Sequence, residues 1–158
     1  MLVKSIFLSG YSTSCDGQHM TNPQTTTQRK VMIASLKDAQ LKAKDIGYLN
    51  AHGASTQVGD PTQAASIQEV FANNTVLVNS TKSLHGHLLG AGGAIELLAC
   101  ISDIENHRLP ANSSHAEKDE DIQLTLVSKE NQYVTNLNHV MSNPFAFGET
   151  NACLIISR

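Results

Sequence analysis

Asn79-Ser80-Thr81-Lys82-Ser83-Leu84-His85-Gly86-His87-Leu88-Leu89-Gly90-Ala91-Gly92-Gly93 is the stretch on which the reading of this chain turns. It reads as a strand end, a loop with one cation and two histidines, and a glycine-rich start to an apolar helix. A second histidine segment, Asn50-Ala51-His52-Gly53-Ala54-Ser55-Thr56, sits at another predicted strand end. Two imidazoles carried on two strand ends point to a site that polarises a carbonyl. No cysteine or serine of the chain lies in a convincing nucleophile motif.

Working outward, residues 3–9 read as a strand and residues 10–23 as a polar, turn-rich loop. Met32, Leu36, Ala39 and Ala43 recur at helical spacing, so residues 24–43 read as a helix. Residues 45–50 form a short strand that delivers His52. Asp60-Pro61 has the pattern of an N-cap followed by proline at the first helical position, and this helix runs to about Phe71. Asn73-Asn74 reads as a turn and residues 75–79 as a strand. The helix over residues 90–106 is apolar on every face, with only Glu96 interrupting the run of Ala94, Ile95, Leu97, Leu98, Ala99, Cys100 and Ile101. Such a helix is buried on both sides, which calls for a partner domain or subunit. A loop over residues 110–121 precedes strands near residues 122–127, 136–142 and 151–157. The order predicts an α/β fold, a mixed sheet layered between helices, with its chemistry at the strand carboxyl ends.

With 158 residues and 41% apolar composition, the chain has the size of one domain over residues 1–158 with a real core. Its net charge of −3, 4% aromatic content and lack of tryptophan and of any basic run argue against nucleic acid as a partner. The three cysteines, Cys15, Cys100 and Cys153, lack CxxC spacing and suit reduced thiols in a cytoplasmic protein. The opening apolar run is short and broken by Lys4, which suits a strand better than a signal peptide. Ser12-Thr13-Ser14 before Cys15 lacks the leucine of a lipoprotein cleavage site, and no apolar run reaches membrane-spanning length.

Four motifs in order give the chain a resemblance to the C-terminal half of elongating β-ketoacyl-acyl carrier protein synthases, condensing enzymes of the thiolase-like fold. They are Asp16-Gly17-Gln18-His19-Met20-Thr21; Gly47-Tyr48-Leu49 running into the His52 segment, with Gly59-Asp60; the Ser80–Gly93 stretch; and Asn143-Pro144-Phe145-Ala146-Phe147-Gly148-Glu149-Thr150-Asn151. The resemblance implies a thiolase-like half, in which two similar halves pack back to back around buried helices. It implies that His52 and His87 assist decarboxylation of a malonyl thioester and stabilise the enolate that attacks an acyl-cysteine. It places Lys82 and Glu96 as their supporting pair, with the lysine keeping His87 neutral. Thr21 and Thr56 fall at substrate-binding positions, Thr56 on the pantetheine tunnel, and Phe147 on a gating loop. The resemblance implies no bound cofactor, since phosphopantetheine arrives on the acyl carrier protein. That carrier, with an acyl or malonyl load, is the implied partner, together with an N-terminal half bearing the nucleophilic cysteine. None of Cys15, Cys100 and Cys153 matches that cysteine.

Departures from the family pattern are also legible. Ala54 replaces a threonine, Gln63 stands where glutamate is common, and Pro144, Ala146 and Glu149 replace a serine and two glycines. Ala146 and Glu149 restrict the gating loop, and Glu149 adds charge. A metal site from His85, His87 and His107 or His115 lacks a thiolate or carboxylate at suitable spacing. The Gly90–Gly93 run lacks the spacing of a nucleotide-binding motif, so close helix packing explains it better. Two functional readings follow: a half that completes a condensing site, and a non-catalytic scaffold of the chain-length-factor kind. Retention of His52, Lys82, His87 and Glu96 favours the first.

Overall fold

The computed structural model describes residues 5–15, 17, 19–72, 76–112 and 122–158. Its core is the trio of short strands β2 (Tyr48–Asn50), β3 (Leu77–Asn79) and β5 (His139–Ser142). Nearly every residue in them is buried, as in a parallel sheet covered on both faces. The hydrogen-bonded path runs β1-β7-β5-β2-β3-β4. Here β1 is Phe7–Cys15, β4 is Thr125–Leu126 and β7 is Thr150–Ser157. β2 pairs parallel with β3 and β5, and β4 extends β3 in parallel, whereas β7 runs antiparallel to both β5 and β1. The strand β6 (Phe145–Ala146) folds back on β7. The sheet is therefore mixed, as the sequence predicted.

The period of two along each strand sends alternate side chains to opposite faces. Leu49, Met141 and Ile155 meet Val31, Met32 and Leu36 of helix α1 (Thr25–Asp38) and Ile67 and Phe71 of α2 (Gly59–Phe71). Their neighbours Tyr48, Val140 and Ile156 face Cys100 and Ile104 of α4 (Gly92–Asn106) on the other side. Helices thus lie on both faces of the sheet.

Several sequence expectations are corrected. Residues 3 and 4 of the expected first strand lie outside the described residues; the strand observed is Phe7–Cys15, so residues 10–15 are strand rather than loop. Gly10 is not a turn residue: a β-carbon there would sit 2.5 Å from the Ser35 carbonyl, so glycine lets α1 press onto β1. Helix α1 stops at Asp38 because Gln40 takes a left-handed φ of 56°. A separate turn of 3-10 helix, Ala43–Asp45, follows, closed by Lys42 N donating to Asp45 Oδ2 at 2.8 Å. α2 starts at Gly59, one residue before the expected cap, and Asp60 Oδ1 instead accepts from Thr56 N at 3.3 Å. Part of the expected histidine loop is a single helical turn, α3 (Lys82–His85). α4 buries Glu96, Cys100, Asp103 and Ile104 but leaves Leu98 60% exposed, so one face alone is covered here. Asn73-Asn74 and residues 113–121 of the expected loop lie outside the described residues, as do Asp16, Gln18, His115 and the Glu149 side chain.

Candidate active site

β2, β3 and β5 run parallel, so their carboxyl ends open at one edge of the sheet, where the side chains of interest gather. The two histidine-bearing ends are stitched together. Ala51 N donates to Asn79 O at 2.7 Å, and Asn50 Oδ1 accepts from Thr81 N at 3.1 Å. Asn143 N, beyond β5, donates to Asn50 O at 3.0 Å and brings the third strand end into the same frame.

His52 follows β2 and His87 follows α3, and their rings meet edge-to-face at 5.3 Å between centroids and 82° between planes. Phe145 N donates to His52 Nδ1 at 3.3 Å, and the Lys82 ammonium lies 3.3 Å from the same nitrogen. Two donors on Nδ1 make it the acceptor, so the neutral ring carries its proton on Nε2. His87 is built alike, with Nδ1 accepting from Leu89 N at 3.1 Å. Among the described residues neither Nε2 has a hydrogen-bond partner, so each ring keeps one N–H for a substrate oxygen.

Lys82 is ion-paired with Glu96, and the two side chains are only 7% and 1% exposed. A charge buried to this degree needs such a partner. The resemblance sets the lysine to keep His87 neutral, but its hydrogen bond is to His52. Burial first, then the Lys82 charge and His87, hold His52 down at about 4, so it is neutral at physiological pH.

The remaining candidates stand apart. Thr56 is exposed and its Oγ1 accepts from Gly59 N at 3.0 Å, so the hydroxyl holds the start of α2. Thr21 is exposed, with its amide donating to His19 Nδ1. Phe147 is 75% exposed. The turn that carries it is tied down by Gly148 N donating to Met20 O at 3.0 Å and Cys15 Sγ donating to Gly148 O at 3.1 Å. Among the described residues, no hydrogen bond or ring contact links Thr21, Thr56 or Phe147 to either histidine. The aromatic beside His52 is Phe145 instead, with centroids 6.1 Å apart. Sequence reading passed over Phe145, Asn50 and Thr81; a polar residue ending an apolar strand, as Asn50 does, is the signal that could have found the last two.

His85 is turned to structural use, with Nε2 3.1 Å from Thr81 Oγ1 and Nδ1 2.8 Å from Gly86 O. The described residues contain no cluster of three or more His, Cys, Asp or Glu able to hold a metal. Cys100 and Cys153 are buried, which raises both thiols, Cys153 to about 12, so neither supplies a thiolate. Beside His87 and Lys82 lies a cavity of about 360 Å³, bounded also by Asp60, Gln63, Ser80 and Leu126. Among the described residues no helix is long and apolar enough to cross a membrane.

Comparison with known proteins agrees with this geometry. The family model described as "Beta-ketoacyl synthase, C-terminal domain" matches residues 6–116. The chain is 37% identical over 153 residues to the 3-oxoacyl-[acyl-carrier-protein] synthase 2 of Coxiella burnetii, an alignment covering 94% of this chain and 37% of the relative. Among solved structures, a β-ketoacyl synthase from Burkholderia phymatum superposes with a TM-score of 0.90 at 35% identity, covering 96% of this chain and 37% of that one. A ketosynthase solved in complex with its chain length factor from Xenorhabdus doucetiae gives 0.88 at 32% identity, covering 98% and 39%. The chain thus spans under two-fifths of the length of these relatives. With the histidine pair and its buried lysine–glutamate support at the strand ends, and with these relatives, the chain belongs to the β-ketoacyl synthase family and corresponds to its C-terminal domain.

Proposed function

We propose that this chain supplies the decarboxylating half of a condensing site, acting with a second half that bears an acyl-carrying cysteine. The observation that carries this reading is the pair of facing imidazoles, each with Nδ1 occupied by a backbone amide and Nε2–H left to donate. A malonyl thioester loses carbon dioxide when its carboxylate–Cα bond breaks and the electron pair delocalises onto the thioester oxygen. Two preset N–H donors in a partly buried site stabilise that developing charge without reorganising. The enolate carbon then attacks the acyl thioester on the partner's cysteine. The carbonyl carbon gains a C–C bond, the thiolate leaves, and the chain grows by two carbons.

Each donor must be neutral in the resting site, because an imidazolium would hand over a full proton rather than a hydrogen bond. Lys82 serves this end at His52, and Glu96 holds Lys82 in place. Acyl carrier protein is the proposed bearer of both thioesters, with Thr21, Thr56 and Phe147 as substrate-side residues once a second half encloses the tunnel. The Lys82–Glu96 pair supports catalysis over a scaffold role because its cation is set against the His52 imidazole, a contact a scaffold does not need.

Combined with a cysteine-bearing half, the chain should decarboxylate malonyl-acyl carrier protein and condense it; alone it should not condense. His87→Ala in the complex should slow decarboxylation by about 10²-fold or more, as loss of one oxyanion donor does. Unchanged decarboxylation in that variant would remove the role assigned to His87.

A further inference from the structure

The His52–Gly53 turn is gripped from two sides by residues that, among the described residues, have no hydrogen bond to either imidazole. Ser80 Oγ, just past β3, lies 3.1 Å from both His52 O and Gly53 O and shares its single proton between the two carbonyls. From α2, Gln63 Oε1 accepts from Gly53 N at 3.0 Å. Gly53 has φ +39°, and a β-carbon on it would lie 2.7 Å from Ser80 Cβ, so the turn packs directly on the serine. Gln63 is 4% exposed, and its position is fixed by α2. Ser80 in turn precedes Thr81, which is bonded to Asn50, and Lys82, which faces His52. One short segment thus fixes both the backbone of the histidine and the cation beside its ring.

We propose that Ser80 and Gln63 are positioning residues that clamp the His52–Gly53 turn and thereby hold His52 Nδ1 on Lys82 and Phe145 N. The inference deepens the reading of His52 as a neutral Nε2–H donor and rests on it. Nδ1 lies 3.3 Å from each of its two donors, so a small shift of the turn breaks both contacts. A catalytic group depends on such supporting contacts for its geometry. The charged or titratable groups facing the ring are Lys82 and His87, with Glu96 behind the lysine. If the clamps are released, the ring separates from Lys82, gains solvent and becomes easier to protonate.

The test is an NMR titration of the His52 imidazole in the 158-residue chain, assigned by comparison with His52→Gln, with no need for turnover. Wild type should titrate near 4 and carry its neutral proton on Nε2. Ser80→Ala and Gln63→Leu should each raise the midpoint by about one pH unit or more and mix the tautomers. Leu36→Val, a core change on α1, should lower the melting temperature and leave the His52 midpoint alone. Folded Ser80→Ala and Gln63→Leu chains with the wild-type midpoint and tautomer would overturn the proposal. If one variant does not fold, the other decides; if neither folds, the two side chains build the fold rather than position the histidine, and the proposal falls. Because the titration needs no substrate, a positive result can coexist with an inactive complex, which would count against the condensing function alone.

Discussion

At the scale of single residues, the site is governed by what is buried next to what. Lys82 and Glu96 are nearly sequestered from water, so removing either partner leaves an uncompensated charge. Lys82→Met or Glu96→Leu alone should lower stability by about 3–5 kcal/mol, and the double variant by less than the sum. Denaturant melts of the four chains check this. Acidification sets a half-buried group, His52, against a buried one, Asp103. His52 is lowered from 6.5 to about 4, chiefly by burial, so between those values the unfolded chain holds a proton that the folded one does not. Stability from His52 therefore falls as pH drops through that window. Asp103 is raised by burial from 3.8 to about 7, so the folded chain holds the extra proton between those values. Stability from Asp103 rises as pH drops through its own window. Asp103→Asn should accordingly lose melting temperature steadily from pH 6.5 to 4, whereas His52→Gln should gain it over the same range. Thermal melts across that range decide whether the two slopes have opposite sign.

At the scale of elements, α4 is the informative helix. Its sequence is apolar all round, yet one face carries Glu96, Cys100, Asp103 and Ile104 into the sheet while Leu98 remains largely exposed. The two faces should answer differently to mutation. Ile104→Ala empties a fully buried position and should cost about 2–5 kcal/mol, whereas Leu98→Glu should stay within about 0.5 kcal/mol in the chain alone. Chemical denaturation of both variants measures the contrast. The His52 turn is an element of the opposite kind, set by close approach rather than by burial. Gly53→Ala meets both a left-handed φ and the Ser80 side chain, so it should destabilise the chain and displace His52 together. A melt and the His52 titration on the same sample would show whether the two effects coincide.

At the scale of the whole molecule, the exposed side of α4 is the face that a second half would cover. Leu84, Leu88, Leu89 and Leu98, four of the exposed apolar side chains, belong to α3, α4 and the segment between them, while others such as Phe7, Leu8 and Tyr11 lie on β1. A cysteine-bearing half should bind there, so Leu98→Glu should abolish co-elution with that half in light scattering while leaving the chain folded. Retained assembly of the Leu98→Glu chain would move the interface elsewhere.

The sequence by itself determined the α/β class and the helices flanking a mixed sheet, because a glycine-rich helix start and apolar periodicity are local signals, readable within a dozen residues. Position at strand ends marked His52 and His87 as candidates, whereas Lys82 and Glu96 entered through the resemblance alone. Tertiary structure decided what those signals leave open. Residues 10–15 looked like a loop because Ser12, Thr13 and Ser14 are polar, but pairing with β7, far along the chain, makes them a strand. Lys82 stands nearer in sequence to His87 than to His52, yet the parallel pairing of β2 with β3 sets the segments after them side by side and brings it to His52. Phe145, rather than Phe147, lies against that ring because β6 folds back on β7. In the first two cases the deciding contact joins segments distant in sequence; in the third a short hairpin sets Phe145 beside a ring from a different strand end, and no local pattern encodes that meeting.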